Sequence, residues 1–230
     1  EYGIRVLPHM ACRDRNLNAI KALLMGLDME DIHSVLLITG DPVAQEDRGS
    51  VRGVFQLNSR TLARTLRDLM DRGALSPFFL CGALNVNARN FRMQLSLAQQ
   101  KEENGCRGFL TQPVLTEQAL ENLRLARATL RGRILGGIIP VVSKKNALFM
   151  NSEISGITVS ERIIAAYEGA DREQGEALAV DISAAVARAI APYVDGYYLM
   201  TPFGRTGLMT RIMERIREED TRKEAEDNGG

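Results

Sequence analysis

The chain has 230 residues, enough for one large domain with a substantial core, and its 29 basic and 29 acidic side chains cancel. With no net field it lacks the electrostatic signature of a nucleic-acid or anionic-membrane partner. The three isolated cysteines, Cys12, Cys81 and Cys106, match neither paired zinc spacing nor a disulfide scaffold. No apolar stretch is long enough to span a bilayer and no signal peptide opens the chain, so a cytoplasmic protein without a metal is expected. The start at Glu1 rather than Met points to a processed form or a piece of a longer protein.

Six short apolar runs each stop on a small polar cluster and give way to helix-like periodicity. The first strand is predicted over residues 5–11, ending in Pro8-His9-Met10-Ala11-Cys12, and a stripe of Leu17, Ile20, Leu23, Leu24 and Leu27 follows. The second, over 34–39, carries the continuous run Val35-Leu36-Leu37-Ile38 of a strand buried on both faces, and stops at Thr39-Gly40-Asp41-Pro42. Leu62, Leu66 and Leu69 then mark a helix. Strands at 77–83 and 107–111 end at Gly82-Ala83-Leu84-Asn85 and Thr111-Gln112-Pro113, with Leu95, Leu97 and Ala98 between them. Thr116 suits a helix start, and Leu120, Leu123, Leu125 and Leu130 form the stripe behind it. Gly73, Gly105 and Gly132 lie just past three helices, where left-handed caps are expected.

The fifth strand, 133–139, ends at Pro140-Val141-Val142-Ser143 and opens a connection of roughly fifty residues, long enough to be structured in its own right. Helices are expected in it over 144–151, 159–168 and about 172–191. A sixth strand at 196–200 leads into Thr201-Pro202-Phe203-Gly204-Arg205 and a final helix, with Met209 and Met213 as core filler. Residues 1–219 are read as one domain and 220–230 as a charged, disordered tail.

Strand followed by crossover helix is the repeat of a parallel sheet. No Gly-x-Gly-x-x-Gly fingerprint follows the first strand, and every strand end carries polar residues, not one switch point alone. The expected fold is α/β, a (β/α)8 TIM barrel of which six βα units are present, with chemistry at the carboxyl ends of the strands.

Asp41 is the leading candidate there, a carboxylate able to stabilise a cationic intermediate or to cap a turn. Gln112 offers one donor and one acceptor to a heterocycle edge. His9 reads as structural more readily than catalytic, and His33, ahead of a strand, is assigned no function. Lys101 can meet a phosphate as a point charge, and Arg205 an anion or a salt bridge. Asn85, Asn87 and Asn146 line a pocket or make turns. No metal cluster, Ser-His-Asp set or phosphate loop is found, so the chemistry is expected to come from a bound ligand.

Taken in order, Pro8-His9-Met10-Ala11-Cys12-Arg13-Asp14, Leu37-Ile38-Thr39-Gly40-Asp41-Pro42, Gly53-Val54-Phe55-Gln56-Leu57-Asn58-Ser59 and Phe109-Leu110-Thr111-Gln112-Pro113 resemble methylenetetrahydrofolate reductase. The resemblance is strongest to the reductase half of bifunctional proteins that also carry a homocysteine methyltransferase. It covers nearly the whole chain except the tail. It implies an FAD-containing barrel in which NAD(P)H reduces 5,10-methylenetetrahydrofolate to 5-methyltetrahydrofolate for methionine synthesis. It also implies a homo-oligomer, with a methyltransferase fused or associated.

Carried over by position, Asp41 and Gln112 are the catalytic residues, the first near flavin and folate, the second on the pterin. His9, Thr39, Gly40, Asp41, Asn85 and Lys101 are cofactor-binding, with Lys101 near the FAD phosphates. Gln112, Asn146 and Arg205 are substrate-binding, Arg205 facing the glutamate tail. Two residues depart from the pattern: Thr39 stands where arginine is common, and Leu84-Asn85 where a tyrosine touches the flavin. The sequence opens at the family's third strand, without the family's early general acid. An unclosed barrel of this kind is expected to be unstable, to aggregate or to pair with another chain. The alternative is a degenerate, non-catalytic scaffold, which Asp41→Asn distinguishes because a scaffold has no activity to lose.

Overall fold

The computed structural model describes residues 3–43, 45–201 and 204–227, with side chains described through 218. Among the described residues six strands alternate with helices: β1 (His9–Ala11), α1 (Leu17–Met29), β2 (Ser34–Ile38), α2 (Ser59–Asp71), β3 (Phe79–Leu84), α3 (Phe91–Glu103) and β4 (Cys106–Pro113). Then follow α4 (Glu117–Thr129), β5 (Arg133–Ile138), α5 (Lys144–Glu153), α6 (Glu161–Ala166), α7 (Arg172–Ile190), β6 (Gly196–Leu199) and α8 (Thr206–Asp227). The sheet order is β1-β2-β3-β4-β5-β6. Strand order that follows chain order has no switch point, which excludes a doubly wound sheet. These are six consecutive βα units of a (β/α)8 barrel.

The chain contacts divide into two compact units. The first comprises Glu1–Leu84, Leu95–Phe109 and Leu130–Arg133. In it β1 pairs in parallel with β2 (His9 opposite Leu36) and β2 with β3 (Ser34 opposite Phe79). β1 begins only at His9, shorter than the expected 5–11, because the chain ahead supplies isolated bonds instead of a ladder. Pro8 O accepts from Leu36 N–H at 2.9 Å and Val6 O from the Ser34 hydroxyl at 2.7 Å. Val35 and Leu37 are fully buried, as are Ile20 and Leu24 of α1 and Leu62 and Leu66 of α2. Each such leucine stabilises by roughly 1.5–3 kcal/mol through burial. Leu23 is 45% exposed, so the α1 stripe narrows to Ile20 and Leu24.

Asparagines start both helices. Asn16 Oδ1 accepts from Ala19 N–H, and Asn58 forms a reciprocal capping box with Thr61. Gly73 and Gly105 take positive φ, 68° and 99°, as C-terminal caps should. Gly132 does not, contrary to expectation. A Cβ there would lie 3.0 Å from the Arg107 carbonyl oxygen, so close backbone approach is what selects glycine.

His33 sits between two carboxylates, with Nε2 2.9 Å from Asp28 and Nδ1 3.3 Å from Asp31, and its ring meets Phe78 edge-on. Hydrogen bonds from Ser76 and then from His33 hold the Asp28 carboxyl below its ordinary 3.8. A lowered carboxylate pKa contributes stability that is complete above 3.8 and is lost as pH falls through the folded value. Thermal melts of wild type and Asp28→Asn should therefore differ at neutral pH and converge in acid. A gap that stays constant down to pH 2 would contradict the pairing.

The second unit comprises Asn85–Gln94, Leu110–Thr129 and Ile134–Gly230. β5 and β6 pair in parallel, Leu135 opposite Gly196. In α4 the buried face is Ala119, Asn122, Leu123 and Ala126, and Leu125 turns out to solvent at 43%. Ser143, Ser160 and Asp171 cap α5, α6 and α7 in turn, so the long connection is three separate helices. They enclose a core of Val141, Met150, Val159, Ile163 and Tyr167, whose hydroxyl donates to Val141 O. Gly175 admits α7 to Val142, whose carbonyl oxygen would lie 2.5 Å from a Cβ. Met209 is buried, as expected, but Met213 is 40% exposed. α8 runs to Asp227, so its backbone is helical through much of the segment read as tail. Pro202, Phe203 and residues 228–230 lie outside the described residues.

Candidate functional site

In the first unit the candidates follow the ends of β1 and β2. His9 opens β1 and is exposed. Gly40 has φ 95°, and a Cβ would stand 2.6 Å from Arg13 Cβ, so its glycine admits the loop after β1. Arg13 is spent on that loop. Its Nε donates to Asp14 Oδ2 at 3.0 Å, and its Nη1 to the carbonyls of Asp41 and Pro42 at 2.9 and 3.3 Å. Asp14, at φ 58°, in turn accepts from Val54 N–H at 3.0 Å.

The Arg13 guanidinium thus holds the Asp41 backbone and not its carboxylate. That carboxylate is exposed, with no hydrogen bond or ion pair among the described residues. Thr39 is committed differently. Its hydroxyl accepts from Ser59 N–H at 3.1 Å and donates to Ser59 Oγ at 3.3 Å, fixing the start of α2.

Lys101 lies in the last turn of α3 and is 9% exposed. Its stem crosses Gly82, where a Cβ would meet Cδ at 2.9 Å, and its Nζ donates to Ala83 O at 2.7 Å. Burial pushes its pKa down, and no carboxylate offsets it among the described residues. An ammonium with three donors and one carbonyl partner keeps capacity for an anion. That donor set fits the phosphate of a cofactor such as FAD. The three thiols do not compete as reactive groups. Burial raises Cys12 and Cys81 to about 11 and Cys106 to about 12.

In the second unit the carboxyl end of β4 is built from amides. Asn85 Oδ1 accepts from Asn87 N–H at 2.9 Å, and Asn87 Nδ2 donates to both Pro113 O and Gly156 O at 2.9 Å. Gly156 has φ 84°, and a Cβ there would meet Asn85 Nδ2 at 3.3 Å and Gln112 Cδ at 3.6 Å. The fold therefore brings Asn85 and Gln112 together against one turn. On the other side of β4, Gly137 N–H donates to Thr111 Oγ1 at 2.8 Å.

Asn146 and Arg205 also share a site. They line a cleft of about 400 Å³ with Pro140, Val142, Lys145 and Phe149. Asn146 Oδ1 accepts from Val142 N–H at 3.1 Å, so one end of its amide is structural. Arg205 has no side-chain partner among the described residues. The cleft combines two cations with an aromatic ring that is 48% exposed. Sequence reasoning missed Lys145, Phe149 and the clamp made by Asn87. Phe149 lies three positions beyond Asn146, on the same helix face, which was a readable signal.

Residues 1–217 match the family model described as methylenetetrahydrofolate reductase. The chain belongs to that family. No curated protein sequence matches it. Among solved structures it resembles an uncharacterized protein from Clostridium thermocellum that binds two copies of 5-methyl-5,6,7,8-tetrahydrofolic acid. Identity is 12%, coverage 94% of this chain and 96% of that one, and the TM-score 0.47. It also resembles a monomeric dihydrodipicolinate synthase variant, at 12% identity, coverage of 90% and 66%, and a TM-score of 0.48. At these scores neither likeness bears on function. For this reductase-family chain no helix among the described residues is long and apolar enough to cross a membrane, and no group of His, Cys, Asp or Glu there could hold a metal ion.

Proposed function

We propose that the chain catalyses flavin-dependent reduction of 5,10-methylenetetrahydrofolate to 5-methyltetrahydrofolate by NAD(P)H, a step that feeds methionine synthesis. The observation that carries this reading is the Asp41 carboxylate just past β2, without a partner among the described residues, in a chain matched to the reductase family over residues 1–217. Reducing the methylene carbon requires the ring-opened iminium, a cation, and a fixed anion favours that form over the closed ring. Gln112 offers the pterin edge one donor and one acceptor. Arg205 and Lys145 supply positive charge for an anionic tail, and Phe149 an apolar face for an aryl group. His9, Thr39, Gly40, Asn85 and Lys101 are the residues that would hold FAD, Lys101 through charge on a phosphate. When bound, the flavin supplies the two-electron carrier between nicotinamide and folate.

The full chain reconstituted with FAD should be yellow and should oxidise NAD(P)H with menadione as acceptor. A colourless protein without this activity would overturn the cofactor assignment.

A further inference from the structure

Asn87 makes an unusual set of bonds for a loop amide. Its Nδ2 joins two carbonyls far apart in the chain, Pro113 O and Gly156 O, each at 2.9 Å, while its own N–H donates to Asn85 Oδ1 at 2.9 Å. Pro113 is the residue after Gln112, and Gly156 is the turn between α5 and α6 whose φ of 84° and missing Cβ let the backbone press on the Gln112 side chain. Asn87 Oδ1, by contrast, is buried and has no partner among the described residues. The residue thus contributes through its two donated bonds while one buried acceptor goes unmet. What the amide supplies is a fixed distance between two backbone segments that flank one glutamine.

We propose that Asn87 is a positioning residue: it locks the Gly156 turn onto Gln112 and so sets the direction of that amide. The inference deepens the reading of Gln112 as the pterin contact and rests on it for its functional consequence. The geometric part stands alone. From the β5 side, Gly137 N–H fixes Thr111 at 2.8 Å and Gly137 O accepts from Val114 N–H at 3.3 Å. Those bonds hold the strand but not the side chain between them. The Asn87 clamp acts on the opposite flank, where the Gln112 amide itself lies.

The test uses the FAD-reconstituted full chain with two variants, Asn87→Asp, which keeps the shape and removes both donors, and Gly156→Ala, which strains the turn at φ 84° that rests against Gln112 and crowds Asn85 Nδ2 at 3.3 Å. The Gln112 side-chain NH2 resonance should shift and broaden in both, while the Asn146 side-chain amide stays put as an internal control. In Asn87→Asp the KM for methylenetetrahydrofolate should rise about tenfold with NAD(P)H–menadione turnover unchanged, and this change should add little to Gln112→Ala. An unmoved Gln112 resonance in either folded variant overturns the proposal, as does a parallel loss in both assays without any Gln112 shift. A displaced Gln112 with unchanged folate KM supports the clamp and removes Gln112 from the substrate, which separates the two claims.

Discussion

Asp41→Asn should lower the rate of methylenetetrahydrofolate reduction by about 10²–10³-fold, the range seen when one group aimed at developing charge is removed. Asparagine has the shape of aspartate without its charge, so the change isolates electrostatics. The fold should be indifferent. The carboxylate has no partner to lose among the described residues, and the Arg13 guanidinium binds the carbonyls of residues 41 and 42, which the substitution leaves in place. A surface change of this kind alters stability by no more than about 0.5 kcal/mol. Steady-state rates and thermal melts on the same preparation decide the matter. Rates within threefold of wild type would remove Asp41 from the chemistry. A melt falling in step with the rate would make it structural.

Lys101→Met should act in the opposite sense on stability. The ammonium is buried in α3, the Ala83 carbonyl is its only hydrogen-bond partner among the described residues, and burial has already lowered its pKa. Replacing a buried, poorly compensated charge by an apolar side chain of similar length is neutral or stabilising. The melting temperature should hold or rise. FAD affinity should drop by roughly 10–150-fold, the equivalent of losing one charged hydrogen bond of about 1.5–3 kcal/mol. Fluorescence titration of FAD checks the affinity and a melt of the apoprotein the stability. Unchanged affinity would mean Lys101 serves only the α3–β3 contact.

The parts of the fold set by local chemistry are readable in the chain. The continuous apolar run Val35–Ile38, bounded by polar clusters, reads as a strand buried on both faces, and Gly73 and Gly105 terminate helices through their own backbone freedom. Gly132 has the same sequence context but a different cause, the Arg107 carbonyl, which no local pattern reveals. Leu23 and Leu125 keep helical spacing yet face solvent, because spacing defines a stripe and only the neighbouring elements define its width.

The site follows the same division. Asp41, Gln112 and Arg205 are visible as polar residues after apolar runs. That Thr39 is occupied by Ser59, or that Gly40 serves the approach of Arg13, depends on partners 20 and 27 residues away in the sequence. Asn87 is the clearest case. Its partners lie 26 and 69 residues downstream, and an Asn-x-Asn pair alone signals only a turn.

The most direct test is an anaerobic one. The full chain is reconstituted with FAD, reduced with NAD(P)H, and mixed with 5,10-methylenetetrahydrofolate while flavin absorbance is followed and products are separated. Return of the oxidised flavin spectrum with stoichiometric 5-methyltetrahydrofolate is the predicted result. A reduced flavin that stays reduced, with the folate recovered unchanged, would contradict folate reduction as the function of this chain.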